Sequence, residues 1–373
     1  MRTPKIGEKK VLTTTFGKVK VSKRHGWAAP TDGFAISPLL QSHYLRFEAE
    51  LVPATAAGLL NEVLGQKLTN LSQGRRLLEH YGRDEAVIAA LTVPLSKSEQ
   101  QPVLRAVATK GEAAQEVIYV MFDGVMLPYD DGYYETKVGR VFLGSHLENV
   151  SHSAAEAINH RRRVVNSEYV AVEGHYTQFT AQFTPLVRAV QRREAADVPT
   201  VVITDGALWM ADYVRDEFPD AIHILDFFHA FEHLAEFAVV VWPGNKERQP
   251  ILERWKRELR SGKVDSILGE VQNYTDHART KVATAATALV TYLVNNQDRM
   301  AYDDYRAKGY LIGSGAIESA ARSVVQQRCK LAGQRWGDQG AGAGAVLSLR
   351  SLYQSGKQHR MDKIILSQYR NVA

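Results

Sequence analysis

Tyr119-Val-Met-Phe-Asp-Gly and Val201-Val-Ile-Thr-Asp-Gly are two apolar runs that end in Asp123 and Asp205. Their β-branched and aromatic residues predict two buried strands, each with an aspartate at its end. A carboxylate in such a setting stays ionised only where a cation or hydrogen-bond donors compensate its charge. The two runs therefore predict strands of a central sheet and a place where acidic side chains need a compensating partner.

Strand and helix patterns alternate through residues 116–230, around these two runs. Three strands come first, then a helix, and then short strands separated by helices. After the first strand the predicted elements are strands over Tyr134–Leu143 and Val164–Val172, a helix over Thr177–Arg193, the strand Val201–Thr204, a helix over Ala207–Glu217 and a strand over Ala221–Leu225. This succession predicts an α/β fold with an RNase H-like mixed sheet, of which residues 116–230 are the first part.

Residues 231–312 are predicted to be helical, because apolar residues recur at helical spacing and no strand pattern interrupts them. More than a hundred positions separate Asp205 from Glu318, far more than one strand and one helix require. We interpret the stretch as an all-helical insertion in the core. Residues 313–373 then supply the C-terminal helices of the core and a tail.

Gly313-Ser-Gly-Ala-Ile-Glu-Ser predicts a helix that carries Glu318 just inside its start. Taken singly, Asp123 and Asp205 fit turn residues or helix caps, and Glu318 fits a helix dipole. Together they form an uncommon set, in the order Asp, Asp, Glu. Carboxylate oxygens suit hard cations such as Mg²⁺ or Mn²⁺. Two such ions in one site could cut phosphodiester bonds.

Basic residues follow Glu318 closely, and they are expected to contact DNA phosphates. The neighbouring tryptophan could stack on an unpaired base. Solvated surface residues and a core tryptophan fit the same pattern, and the net charge of +5 with a pI near 9.1 adds only mild support. The residues in question are Arg322, Arg328, Lys330, Arg335 and Trp336.

His229-Ala-Phe-Glu-His233 matches the H-x-x-E-H pattern of inverted zinc peptidases. Two histidines four positions apart share a helix face and could bind zinc. A peptidase would leave Asp123 and Asp205 unexplained. The other alternative is a helix capped by Asp226 with ordinary histidines behind its cap.

Residues 1–36 are predicted to form a basic β-hairpin arm. Over Lys10–Ser22, β-branched runs flank Gly17, which is typical of a hairpin. Residues 1–24 hold eight Lys or Arg and one acid, Glu8. Such a cluster fits nucleic-acid phosphates, and it also fits a solvated face.

Residues 37–115 have helical patterns. Within them, residues 55–78 predict a helix, a turn at Gly65 and a second helix from about Asn70. This is the shape of a helix-turn-helix DNA-binding element. Two packed helices without DNA contact fit the same pattern.

The composition, with 373 residues of which 45% are apolar and 23% charged, fits a soluble protein of two or three domains. No stretch approaches the roughly 18 consecutive apolar residues of a membrane span. Met1-Arg-Thr-Pro-Lys-Ile lacks an apolar export signal. The single cysteine, Cys329, excludes a disulfide framework and predicts a small buried side chain. We expect a cytoplasmic protein with no membrane partner.

Over roughly residues 117–352 the chain resembles DDE transposases of bacterial insertion sequences, most of all the ISKra type, and more distantly Mutator-like transposases. The resemblance is densest from Gly313 to Trp336. It is also clear in Thr204-Asp-Gly-Ala-Leu-Trp, in Asp226-Phe-Phe-His-Ala-Phe-Glu-His-Leu, and in Asp123-Gly with the later Lys137-Val-Gly-Arg.

The resemblance implies a Mg²⁺-dependent enzyme that binds double-stranded DNA at element ends, cleaves it and joins the ends to target DNA. It assigns Asp123, Asp205 and Glu318 as the catalytic triad that holds two Mg²⁺ ions, which Mn²⁺ could replace. Asp226 and His229 fall on an accessory D-x-x-H element that helps to position DNA or the active site. It also implies a homodimer or larger homo-oligomer, associated with the nucleoid.

Many relatives carry paired cysteines after the N-terminal hairpin, and Arg24-His-Gly-Trp-Ala-Ala-Pro has none. This departure leaves room for a domesticated protein that acts as a DNA-binding regulator. A related RNase H-like DNA nuclease, such as a junction resolvase, is a separate alternative to an active transposase.

Overall fold

A computed structural model gives the fold, and it describes residues 9–14, 17–22, 38–51, 53–64, 71–104, 116–149, 162–337 and 342–370. The described strands are β1 Lys9–Thr14, β2 Gly17–Ser22, β3 Ile118–Tyr129, β4 Gly132–Leu143, β5 Leu147–Asn149, β6 Arg162–Val164, β7 Glu168–Glu173, β8 Thr200–Thr204 and β9 Ile222–Leu225.

The described α-helices range from single turns to helices of several turns. They are α1 Pro38–Glu50, α2 Pro53–Leu64, α3 Leu71–Gly82, α4 Glu85–Thr92, α5 Tyr176–Arg193, α6 Leu208–Glu217, α7 Phe227–Val241, α8 Asn245–Arg260, α9 Val264–Gln272, α10 Thr280–Asn296, α11 Tyr302–Ala307, α12 Gly315–Ala320, α13 Gln327–Cys329, α14 Ala343–Gln354 and α15 Gln358–Arg370. None of these helices is both long and apolar enough to cross a membrane.

Five strands form a mixed sheet in the order β7-β4-β3-β8-β9. β3, β4 and β7 run antiparallel to their neighbours, whereas β8 and β9 continue the sheet in parallel with β3. The predicted α/β class with a mixed sheet is therefore confirmed. The stretch between β9 and α12 is described throughout and contains helices and no strand, which confirms the prediction that it is helical.

Two predicted strand boundaries are wrong. The strand expected to end at Asp123 continues to Tyr129, because β4 pairs with β3 along its whole length. The strand expected over Val164–Val172 is two strands in different sheets, since β6 pairs with β5 and β7 with β4. Asn166 separates them: its side-chain amide binds the backbone N–H and C=O of Gln101, at 2.9 Å each.

Helices cover both faces of the sheet. On one face the Phe183 ring of α5 lies so close to Gly139 of β4 that no side chain would fit there. Successive strand residues point to opposite faces, so Arg140 points to the other one. There its guanidinium donates a hydrogen bond of 2.6 Å to the Ala316 carbonyl of α12. β4 is thus held between α5 and the helix that carries Glu318.

β7 forms one edge strand of the sheet, and α14 with the following Ser355 covers it. The backbone N–H groups of Tyr169 and Ala171 in β7 donate to the hydroxyls of Ser355 and Ser351, at 2.9 and 3.0 Å. An uncovered edge strand would offer these groups to another chain. Two serine side chains take the place of a sixth strand.

In the N-terminal part, β1 and β2 pair as the predicted hairpin, from Lys9 opposite Ser22 to Thr14 opposite Gly17. α2 and α3 are the two helices expected from the helix-turn-helix pattern, and residues 65–70, where the turn was predicted, lie outside the described residues. α3 packs on α14, so this unit is part of the main body of the protein.

A candidate active site on three neighbouring parallel strands

The hydrogen-bond register brings Asp123 and Asp205 to the same level. β3 and β8 run in parallel, and their last pair joins Met121 to Ile203. Two residues further along both strands, the same register places Asp123 beside Asp205. Neighbouring strands lie about 4.8 Å apart. The sheet therefore brings together two carboxylates that the sequence separates widely.

The same register extends to a third aspartate. β8 and β9 are also parallel, and their last pair joins Thr204 to Leu225. One residue further along, Asp226 stands level with Asp205. Three neighbouring parallel strands thus place an aspartate at one level, where β8 and β9 end and β3 continues as a hairpin.

Asp123 is half-buried, and its carboxylate has one backbone donor, the N–H of Gly124 at 2.7 Å. The pKa of Asp123 is raised from its ordinary 3.8 to about 6; burial is the largest cause, and the negative charges of Asp205, Glu135 and Glu318 act in the same direction. The Gly124 N–H lowers the pKa only in part. The site therefore has an excess of negative charge.

Asp205 begins a tight turn before α6, and its carboxylate accepts the N–H of Ala207 at 3.0 Å. The turn depends on Gly206, whose φ is +92°. A Cβ there would lie 2.8 Å from Cδ1 of Leu225. Only glycine adopts this backbone easily and leaves this space, so the Asp-Gly pair is a structural requirement here.

The helical insertion supports the Asp205 turn from below. Tyr292 of α10 lies close enough for the Asp205 charge to raise the pKa of its phenol, together with burial as the largest cause. The Tyr292 ring is tilted by 41° from that of His233 of α7, with 4.0 Å between the ring centroids. α10, which packs on α7, therefore lies beside the turn that carries the second aspartate.

Asp226 links α7 to the helix of Glu318. Only 3% of Asp226 is exposed, and one carboxylate oxygen accepts the N–H of Phe228 at 2.7 Å, as the expected helix cap. The other oxygen accepts the N–H of Ser314 at 3.2 Å and a short hydrogen bond from its hydroxyl. Asp226 therefore joins the start of α7 to Ser314, the residue before α12.

Glu318 lies in the first turn of α12, as predicted, and its side chain is exposed. Its carboxylate lies 3.1 Å from the Ser314 hydroxyl. A hydroxyl has one proton, so Ser314 cannot donate fully to Asp226 and Glu318 at once. Ile317 is buried beside it and anchors the helix. The helix of Glu318 is thus anchored by Ile317, and its exposed carboxylate lies within hydrogen-bond distance of Ser314.

The chain continues from α12 into a π-helical turn, Ala321–Gln326. Such turns leave backbone carbonyls without their usual helical partners. Here Arg350 of α14 donates to the carbonyls of Ser323 and Val324, and it also donates to Ala49 and Glu50 at the end of α1. This buried guanidinium ties the segment after Glu318 to the N-terminal helices.

The carboxylates line one cleft of about 230 Å³. No Lys or Arg is among the described residues that line it, and the imidazole of His229 is the one basic side chain among them. The lining residues are Phe122, Asp123, Ile203, Thr204, Asp205, Asp226, Phe228, His229, Glu232, Ser314, Ile317 and Glu318. Sequence reasoning did not single out Phe228 or Ser314, although both lie within the quoted motifs.

His229 lines the cleft, and its ring meets that of His233 edge-on at 4.9 Å. Burial, with the neighbouring His229 charge, lowers the pKa of His233. Both histidines face nearby acids, at 3.6 Å from Glu232 and 3.8 Å from Glu236. Among the described residues, no three His, Cys, Asp or Glu side chains form a group that could hold a metal ion as they stand.

The expected phosphate contact through Arg328 is wrong. Only 1% of Arg328 is exposed, and its guanidinium pairs at 3.1 Å with the buried carboxylate of Glu48 in α1. An acid in a distant helix therefore turns this arginine inward. Arg322 and Lys330, in contrast, are exposed. Arg322 is four positions beyond Glu318 and is the nearest of these basic residues to it along the chain.

Arg335 and Trp336 lie beside the far end of β3. The Arg335 guanidinium donates to the Tyr129 carbonyl at 2.9 Å, and the Trp336 indole donates to the Cys329 carbonyl at 2.9 Å. Asp123 is six residues away along β3, or about 20 Å at the rise of a strand. Trp336 is half-buried and packs against Arg328, which favours the expected alternative of a structural tryptophan. Cys329 is buried, as predicted.

Comparison with models of known protein families gives no match. No curated protein matches the sequence either.

Proposed function

We propose that this protein is a DNA transposase that uses Asp123, Asp205 and Glu318 as a DDE triad. The observation that supports this most is their convergence: three acids from distant parts of the sequence line one cleft, and none of the described residues that line it is a Lys or Arg. Uncompensated carboxylates cost free energy unless a cation or DNA-bound metal joins them. A structural ion pair would have placed Lys or Arg among them.

The fold supports an RNase H-like core. Three antiparallel strands are followed by α5 and then by two parallel strands separated by α6, which is the succession predicted for such a sheet. The helices α7–α11 between β9 and α12 correspond to the proposed insertion. The likeness to an RNase H-like core concerns only the order of strands and helices. The proposed function is argued from the acidic residues of the cleft.

The acids fit Mg²⁺, with Mn²⁺ as a substitute, because hard cations take carboxylate oxygens. Asp123, Asp205 and Glu318 would hold two ions. The pKa of Asp123 is raised mainly by burial and to a smaller extent by the neighbouring acids, and a bound cation would offset both effects. Two bound ions supply activation of the attacking water or 3′-hydroxyl and stabilisation of the leaving oxygen.

The protein's own residues hold this arrangement in place. Gly206 sets the Asp205 turn, and Asp226 with Ser314 joins α7 to α12. Glu318, exposed at its tip, can meet a substrate that enters the cleft. The exposed Arg322 and Lys330 would contact phosphates beside it, with the N-terminal arm and helices on the DNA further away.

The proposed partner is double-stranded DNA at the ends of a mobile element and at its target. Bridging two ends requires more than one catalytic site, so we propose a homodimer or larger homo-oligomer. Cytoplasmic, nucleoid-associated localisation follows from the same proposal.

The test is DNA cleavage by Asp205→Asn and Glu318→Gln variants, with Mg²⁺ and with an oligonucleotide that carries the DNA flanking the gene. The amide in Asp205→Asn retains the oxygen that accepts the Ala207 N–H, so we expect the fold and DNA binding to persist while cleavage is lost. Asp220→Asn, at an exposed turn before β9, is the matched control and should cut normally.

Different outcomes separate the alternatives. Cleavage with joining of 3′ ends supports a transposase, whereas cleavage without joining supports a nuclease. Specific binding without any cleavage by the parental protein supports a regulator. Cleavage by Asp205→Asn at the parental rate would show that the triad is wrong.

A further inference from the structure

Phe228 places an exposed aromatic ring at the acidic cleft. It is the second residue of α7, 49% of it is exposed, and it lines the cleft with the carboxylates. A single exposed apolar side chain is common on protein surfaces and means little by itself. Phe228 differs from such a side chain in two respects: its ring lies at the acidic cleft, and neighbouring residues hold it rigidly.

The ring is fixed from behind. A Cβ on Gly313 would lie 2.7 and 2.9 Å from two ring carbons of Phe228, so the bare backbone of Gly313 lies directly against it. Phe227 meets the ring nearly perpendicularly, at 84° and 5.4 Å between centroids. The Phe228 N–H is held by Asp226. Such a ring loses little conformational entropy when a ligand stacks on it.

The charges around the ring select the kind of ligand. Glu232, one turn further along α7, is 71% exposed and lines the same cleft, as do the three acids. A phosphate against the Phe228 ring, with no cation between them, would be repelled by these acids. An uncharged planar group would not be, and aromatic side chains stack on any base face.

We propose that Phe228 is the stacking platform for an unpaired DNA base adjacent to the phosphodiester bond at the cleft. This inference rests on the proposed function and adds that the cleft accepts DNA with at least one base out of the duplex. A paired base inside a duplex has both faces covered by its neighbours, so only an unpaired base can offer a face to Phe228.

The test uses two fluorescent probes in Ca²⁺ buffer: an oligothymidylate with one central 2-aminopurine, and a blunt duplex in which 2-aminopurine is paired. Stacking quenches this base. We expect the parental protein to quench the unpaired probe strongly, and Phe228→Ala to lose the quenching and bind that probe about 5- to 150-fold more weakly, the range for one stacked base. Phe228→Trp should retain both.

Val239→Ala is the matched control, because Val239 is 51% exposed on the same helix but does not line the cleft. It should behave like the parental protein. Circular dichroism of each variant checks that α7 is intact.

The outcomes are distinct. If Phe228→Ala binds and quenches the unpaired probe like the parental protein, or weakens both probes equally, the stacking role is wrong while the proposed function stands. If the parental protein binds neither probe, nor the flanking DNA used above, then the proposed function itself fails, and the stacking role with it.

Discussion

Replacing Asp123 by asparagine should stabilise the protein in the absence of divalent ions, although it removes a residue of the proposed triad. The raised pKa of Asp123 means that the folded protein resists ionising this carboxyl. Burial is the main cause, and three neighbouring acids add to it. The amide keeps the shape and the oxygen that accepts the Gly124 N–H, but it carries no charge.

The size of the effect follows from the pKa. In the folded protein the pKa of Asp123 is about 6, against an ordinary 3.8. Each pKa unit corresponds to about 1.4 kcal/mol, so the ionised carboxylate costs up to about 3 kcal/mol. Because the folded state binds this proton more tightly, stability falls as the pH rises between these two values. The full cost is present above about pH 6.

The assay is urea unfolding in EDTA, followed by tryptophan fluorescence. Trp209 is a suitable reporter, because its ring lies 5.7 Å from that of Phe122, next to Asp123. At pH 8 the Asp123→Asn variant should have a higher midpoint, by up to about 1 M urea for an m-value of about 3 kcal/mol/M. Near pH 3.5 the two proteins should unfold alike. Asp220→Asn should match the parental protein at both pH values.

Mg²⁺ provides the second half of the experiment. It should raise the parental midpoint at pH 8 by supplying the missing positive charge, and raise that of Asp123→Asn much less. A variant no more stable than the parent at pH 8, or equally stabilised at pH 3.5 and pH 8, would refute the account of this cleft as an uncompensated cluster of acids.

Two further predictions concern the support of the site. Arg328→Met should lower the free energy of unfolding by about 3 kcal/mol at pH 8, because it leaves the buried carboxylate of Glu48 without its cation, and by less at acidic pH, where Glu48 can take up a proton. The salt dependence of DNA binding should not change; a reduced dependence would show that Arg328 contacts phosphate. Gly206→Ala should lower the free energy of unfolding by about 1–3 kcal/mol and slow DNA cleavage, because of the positive φ and the close contact with Leu225. Gly269→Ala on α9, where a Cβ would meet open space, should be neutral or stabilising in thermal unfolding. Equal effects of the two substitutions would show that the Asp205 turn does not require glycine.

Sequence patterns were most informative where the structure is local. The predicted elements Val201–Thr204 and Thr177–Arg193 agree within one residue with β8 and α5, because alternation and helical spacing of apolar residues depend on immediate neighbours in the sequence. The end of β3 was missed for the opposite reason. Its extension to Tyr129 depends on pairing with β4, and nothing within the strand itself indicates where that pairing stops.

By itself, the sequence determined which segments form strands and which form helices, the aspartates that lie within or just after those strands, and the glycine that the Asp205 turn requires. Only the tertiary structure decided that Asp123, Asp205 and Asp226 stand level, since strand register is a property of pairs of strands. It also turned Arg328 inward toward Glu48, and placed Gly313 behind Phe228. Residue type and spacing act between near neighbours, whereas register, burial and ion pairing depend on partners that only folding brings together.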